Sequence, residues 1–410
     1  MSRTEPNVWH SVLALSKLHE EYALSYDQRT VQISNGGRRF ALQHYNESVA
    51  RLTGLVIDPT QSIEVILVNC IVFIGLELLL GNTEGAMAHL RCGIQILRPW
   101  QERRSDSSSD NTIPYSELMD RYLKPIFDHM NLYTSTMYGS LALPQPERLA
   151  VRKVKRYKNF KDMLEARAVL LHIMTDGLQL ANQTIVLGEN PCRDKTAFQQ
   201  KQSLLSRSRD WEQVFGTLLS EPSMKYPSLQ DSQKVALLWV KQKTAAIWIA
   251  NSLNTNETSF DNYGRDFENV ISLAESTFEK ELELLTGEEY ANFSVQMQVI
   301  SLYYTTIKCR NPSIRRRSLS LLQQCSRTEG FWDSKMVIKV AGRVVEIEEE
   351  GLEDQMDLTG LVVPSEWSRV HDVTVTPETL GSSRRALISF RQRPNGDSRQ
   401  WLLRQEYFDM

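Results

Sequence analysis

The chain is poor in cysteine: five in 410 residues, Cys70, Cys92, Cys192, Cys309 and Cys325, with no Cys-x-x-Cys spacing anywhere. A structural zinc site needs paired soft ligands that close a tetrahedron, so no zinc-finger signature is present. An odd number of scattered thiols in mostly apolar surroundings also argues against a disulfide framework, and free thiols in the nucleus or cytoplasm are expected. An excess of positive charge is missing as well. The 47 Lys and Arg against 50 Asp and Glu leave a net charge of -3, whereas a domain that binds nucleic acid unaided shows a basic face. The seven histidines are dispersed, and no nucleophile elbow, phosphate-cradling glycine loop, dinucleotide fingerprint or His-Glu-x-x-His occurs. No enzyme, metal or cofactor is therefore expected. At the start, Trp9, His10, Lys17 and His19 interrupt any apolar run, so no secretory signal is expected either.

What the chain does have is an apolar block at residues 63–100, IEVILVNCIVFIGLELLLGNTEGAMAHLRCGIQILRPW. Ile63, Ile66, Leu67, Cys70, Phe73, Ile74, Leu76, Leu78 and Leu79 leave its first half no polar face, which marks a helix buried among other helices. Glu64, Asn69 and Glu77 interrupt the run, and a charge at the centre of a bilayer costs about 3 kcal/mol, so a core helix is expected rather than a membrane span. Gly81-Asn82 breaks the helix, and Asn82 or Thr83 caps a second one. In that helix Met87, Leu90, Ile94 and Leu97 recur at spacings of three and four until Pro99 forbids continuation. The block reads as a helical hairpin. Glu77 and His89 within it read as paired or capped structural groups rather than catalysts.

Helical spacing recurs at residues 8–20, 40–52, 115–138, 163–187, 204–219, 233–251, 263–285 and 293–308, and again on either side of Gly330. Ser34-Asn35-Gly36-Gly37 reads as a flexible loop and residues 101–112, QERRSDSSSDNT, as a polar surface loop with serines open to phosphorylation. Trp239 and Trp248 in the 233–251 helix read as packing residues, since aromatics dominate ordinary cores, with an aromatic ligand pocket as the alternative. The fixed period of a tetratricopeptide array is absent. After Met356 the apolar residues alternate instead: Val370, Val373 and Val375, then Ala386, Ile388 and Phe390, then a turn at residues 394–397 before a last strand. The expected fold is mainly α, an irregular array of antiparallel helical hairpins with a small C-terminal antiparallel β appendage. Residues 1–355 make the helical domain and residues 356–410 the β-rich appendage docked on it, because an isolated small sheet is marginal in water.

Two basic runs invite a functional reading. Residues 151–161, VRKVKRYKNFK, interleave Arg152, Lys153, Lys155, Arg156 and Lys158 with Tyr157 and Phe160, the composition of a nucleic-acid contact or import signal; a solvated loop is the alternative. Arg315, Arg316 and Arg317 stand at a helix entry, where three cations oppose the helix dipole. They read either as a phosphate or import-receptor contact or as partners of Glu348, Glu349 and Glu350 on a neighbouring helix.

Two passages resemble the regulatory domain of fungal zinc-cluster transcription factors. One is the apolar hairpin, with Phe73, Glu77, Leu78-Leu79, Gly81-Asn82, Ala86 through His89-Leu90, Gly93 and Ile96-Leu97. The other is Lys308-Cys309-Arg310, Pro312, Ile314-Arg315-Arg316, a leucine-rich helix, Trp332-Asp333-Ser334 and a helix running into Ile347-Glu348-Glu349-Glu350. Leu18-His19-Glu20 and Ala41-Leu42-Gln43-His44-Tyr45-Asn46 add to the likeness. It covers roughly residues 8–403 and implies a transcription regulator, nuclear or cytoplasmic, that acts on a metabolic gene set. Its partners are proteins, full-length zinc-cluster factors or the transcription machinery. The six-cysteine cluster that reads DNA in the family has no counterpart in these 410 residues, so direct DNA binding is not expected of this chain. Either it works without a cluster, or the cluster is encoded upstream. A soluble helical scaffold or ligand-binding module with no transcriptional role is the alternative.

Overall fold

The computed structural model describes residues 5–25, 34–56, 63–105, 117–138, 157–187, 194–222, 228–284, 298–324, 331, 334–350, 352, 363–380, 383–393 and 401–409. Among them are twelve α-helices and one three-stranded antiparallel sheet near the C-terminus, so the protein is mainly helical. Two compact units are formed, Met1–Asn131 in one, Leu132–Leu284 with Ser294–Met410 in the other. The sheet clusters with the helices of the second unit.

The first unit holds α1 (Pro6–Ser25), α2 (Asn35–Val56), α3 (Ile63–Leu79), α4 (Thr83–Ser105), a π turn at Met119–Leu123 and the beginning of α5 (Lys124–Tyr138). Ala14, Leu18, Ala41, Phe73 and Leu76 form a buried cluster flanked by Leu15, Tyr45, Val49 and Leu52. Of the apolar residues that mark this helix, Leu67, Cys70, Phe73, Ile74 and Leu76 are buried, while Ile63, Ile66, Leu78 and Leu79 are partly exposed, so one side of α3 is less covered than expected. Between α3 and α4, Gly81 adopts φ 73°, a left-handed conformation open to glycine at little cost. Of the two candidate caps, Asn82 serves: its Oδ1 accepts from the Gly85 N–H at 3.1 Å. Cys70, Cys92 and Cys309, the described cysteines, are free.

Glu77 and His89 meet through Tyr45. The Tyr45 hydroxyl donates to Glu77 Oε1 at 2.8 Å and lies 2.8 Å from His89 Nε2, while Asn82 Nδ2 donates to Glu77 Oε2 at 2.7 Å. Burial, with the Glu77 bond and charge adding to it, pushes the Tyr45 phenol above its ordinary range. The group ties α2, α3 and α4 together. Tyr45→Phe leaves a largely buried carboxylate short of a donor, so a loss of about 1–3 kcal/mol is expected in urea denaturation. A loss below about 0.5 kcal/mol would mean that the hydroxyl holds nothing.

Several boundaries differ from the expected ones. Asn35, Gly36 and Gly37 are the first turn of α2 rather than a loop. Ser34 Oγ accepts from the Gly37 N–H at 3.0 Å, and the Glu21 carboxylate accepts from Ser34 N and Oγ at 2.7 and 2.8 Å; that capping offsets the entropy of two glycines. Helix α4 passes through Pro99 and takes in residues 101–105. The bond Pro99 cannot make would end on the carbonyl of Gln95, an exposed residue, where water serves instead. Residues 106–112, from the rest of the serine-rich stretch, and the turn at 394–397 lie outside the described residues.

The second unit takes in the end of α5, α6 (Met163–Leu187), α7 (Lys195–Leu219), α8 (Leu229–Asn251), a 3-10 turn at Glu257–Tyr263, α9 (Gly264–Leu284), α10 (Gln298–Lys308), α11 (Pro312–Gln324) and α12 (Ser334–Glu349). Helix α7 starts nine residues before the expected 204, because the Asp194 carboxylate accepts from the Thr196 and Ala197 N–H groups at 2.8 and 3.2 Å and so caps an earlier turn. Trp211 stacks on Phe215 with centroids 4.6 Å apart and meets Trp239 edge-on at 5.9 Å. Trp239 is thus a packing residue.

Strands β1 (Val370–Leu380), β2 (Ser383–Gln392) and β3 (Leu402–Asp409) pair antiparallel in that order. Ala386, Ile388 and Phe390 are buried on one face. The sheet docks on α12: the Val370 N–H donates to Glu348 Oε1 at 2.7 Å, Arg343 Nε to Glu406 Oε2 at 2.8 Å, and Lys339 Nζ to the Asp409 carbonyl at 3.0 Å.

Candidate functional site

The passage from Lys308 to Pro312 turns the chain sharply from α10 into α11. Pro312 takes the first helical position, where no N–H is needed, and Asn311 Oδ1 accepts from the Ser313 and Ile314 N–H groups at 3.1 and 3.3 Å. That turn directs Arg310 and Arg315 into the interior, both 0% exposed. Arg310 grips Glu348 with Nη2 on Oε1 at 2.7 Å and Nε on Oε2 at 3.2 Å, and meets Glu257 Oε2 at 2.9 Å. Arg315 pairs with the same Glu348, reaches Glu349 at 3.3 Å, and donates from Nε to the Thr306 carbonyl at 2.9 Å. Burial alone would raise the Glu348 carboxyl, but the guanidiniums of Arg310 and Arg315 outweigh it and hold the group down to about 2.

The three arginines therefore divide. Arg315 is a core residue and cannot meet a phosphate or an import receptor, so that reading is corrected: desolvating a guanidinium this deeply is tolerable only because Glu348 and Glu349 match it. Arg317 is engaged by Glu268 and Glu275 on α9, each at 2.6 Å. Arg316 remains on the surface beside Glu349. Of the other basic run, Lys158 is exposed, while Arg152, Lys153, Lys155 and Arg156 lie outside the described residues. Phe160 packs against Trp211 with centroids 6.2 Å apart, and is buried, so that aromatic belongs to the core and not to a base-stacking surface.

Beside the buried ion network lies a cavity of 430 Å³. Trp248 from α8, Phe260 from the 3-10 turn and Tyr303 and Tyr304 from α10 contribute its aromatic lining; Met174, Leu178 and Val344 add aliphatic surface. Tyr304 stands edge-on to Phe260 at 6.1 Å and tilted to Trp248 at 6.2 Å. Glu257, Lys308, His371, Asp372 and Arg391 supply the charged or titratable lining. Lys308 Nζ donates to Glu257 Oε1 at 2.8 Å and to the His371 carbonyl at 2.9 Å. The β1–β2 register shifts between Val370 and Asp372, a bulge of the kind that re-aims groups beside a site. Burial pushes the Tyr304 phenol well above its ordinary range and the Glu257 charge adds to it; Tyr303 is raised by burial and by Asp372.

A concave, mostly apolar space of this size with a few convergent polar groups suits a small organic molecule. Its lining runs from Ser135 to Arg391, and no local spacing announces it. Trp248, for which the sequence favours simple packing over an aromatic pocket, is a cavity wall. Among the described residues no three His, Cys, Asp or Glu side chains group to hold a metal ion, and no helix is long and apolar enough to cross a membrane. No protein-family model, curated protein or solved structure matches the chain.

Proposed function

We propose that this chain is a helical regulatory domain of the fungal zinc-cluster transcription factor type, acting in the nucleus through protein contacts and responding to a small molecule held in the cavity of its second unit. One coincidence supports the reading. The passage that carries the family likeness also supplies Lys308, Arg310, Arg315 and Glu348, the residues that lock β1 and the 3-10 turn beside the cavity. A ligand touching α8, α10 and β1 at once shifts any equilibrium between arrangements of these elements by its difference in affinity for them. The partners are full-length zinc-cluster factors or the transcription machinery, and the output is a metabolic gene set.

A deletion strain tests this: a coherent set of metabolic transcripts is expected to change, and a fluorescent fusion to the chain to collect in the nucleus. The second reading, a ligand-binding module with no transcriptional role, has the same cavity in its favour. A cytosolic fusion with an unchanged transcript profile would establish it over the first.

A further inference from the structure

Two opposite charges beside the cavity form no ion pair among the described residues. Asp372 on β1 and Arg391 on β2 are direct partners in the ladder, and both line the cavity. Such cross-strand pairs of opposite sign attract one another when they close. Among the described residues these two form no ion pair, with each other or with anything else. The Arg391 guanidinium instead lies over the Trp401 ring, 4.2 Å from its centroid. The remaining charges are matched: Lys308 sits 2.8 Å from Glu257, and Glu257 meets Arg310 at 2.9 Å. The Tyr304 hydroxyl likewise has no hydrogen-bond partner among the described residues.

A molecule complementary to this surface carries both signs of charge close together on an apolar body. We propose that the cavity binds a zwitterion, an α-amino acid with a large apolar or aromatic side chain, whose ammonium meets Asp372, whose carboxylate meets Arg391 and whose side chain lies against Trp248 and Tyr304. The assignment rests on the small-molecule reading above and narrows it to one chemical class. A bare amine leaves Arg391 without a counter-charge, and a bare carboxylic acid sets its own charge beside Asp372. Either mismatch weakens binding, because an unpaired charged group at a desolvated surface costs more than a neutral one.

Isothermal titration of the full chain with phenylalanine, phenethylamine, 3-phenylpropionate and glycine tests the charge pattern without altering the protein. Phenylalanine is expected to bind about 10-fold or more tightly than the amine or the acid, each of which lacks one charge-assisted contact, and glycine, which lacks the body, to give no heat. Asp372→Asn and Arg391→Gln are each expected to weaken phenylalanine by about 10- to 100-fold with an unchanged far-ultraviolet circular dichroism spectrum. Where a variant loses its fold, the four-ligand comparison decides alone. Phenethylamine binding as tightly as phenylalanine would overturn the zwitterion and leave a cation site, with the small-molecule reading intact. Silence from all four ligands would overturn it too, and the broader reading falls only if a screen of neutral aromatic fragments is also blank.

Discussion

Glu348→Gln is expected to destabilise the protein by about 3–5 kcal/mol, lowering the urea midpoint by about 1–2 M. The carboxylate is 0% exposed and is shared by Arg310 and Arg315, themselves 0% exposed, so neutralising it strands two buried guanidiniums rather than deleting one contact. It also weakens the acceptor for the Val370 N–H, where the sheet joins α12. Glu346→Gln is the control: Glu346 pairs on the surface with Arg343, and an exposed pair is worth less than about 1 kcal/mol. A Glu348→Gln protein as stable as that control would show that the network is balanced without its centre.

The same residue sets a pH dependence. Its carboxyl is depressed from 4.5 to about 2 in the folded chain, so its contribution is fully present above the unfolded value and is lost as pH falls from about 4.5 through 2, a few kcal/mol in all. Glu366 is also held at about 2: burial raises it, but His371 and the backbone N–H groups of Glu257 and Thr258 lower it further. The acid limb of the stability curve should therefore flatten in Glu348→Gln without vanishing.

Gly93→Ala is expected to cost about 1–3 kcal/mol even after the helix-propensity gain of about 1 kcal/mol. A β-carbon at this position on α4 would stand 2.1 Å from Phe127 Cε1, and Phe127 is buried, so a shift of its ring must displace packed neighbours. Thermal denaturation of the single and double variants separates clash from helix entropy. Phe127→Leu should restore part of what Gly93→Ala loses, so the two effects should be less than additive. Gly342 on α12 has nothing within 4 Å of its would-be β-carbon, and Gly342→Ala should stabilise by up to about 1 kcal/mol. Equal effects at the two glycines would remove the packing argument.

Much of the fold was legible because the signals are local. The spacing of Met87, Leu90, Ile94 and Leu97 names the buried side of α4, and the alternation of Ala386, Ile388 and Phe390 names the buried face of β2. Boundaries failed where a distant or unexpected cap decided them, as with Glu21 on Ser34 at the start of α2 and Asp194 before α7. The arginine run was legible only as charge. Sequence offered two uses for Arg315, surface contact or pairing with the 348–350 glutamates, and burial of the side chain among Thr306, Glu348 and Glu349 decided between them.

A mainly helical chain with an apolar hairpin and a terminal sheet is written in the spacing of apolar residues, because that period dictates which face of each element leaves water. Packing between elements far apart in the chain leaves α6, α8, α10 and β1 short of closing on one another around Trp248 and Tyr304, and sets Asp372 and Arg391 beside that space with no ion pair among the described residues. A cavity is the volume left over when elements far apart in the chain pack, and no stretch of residues encodes it alone.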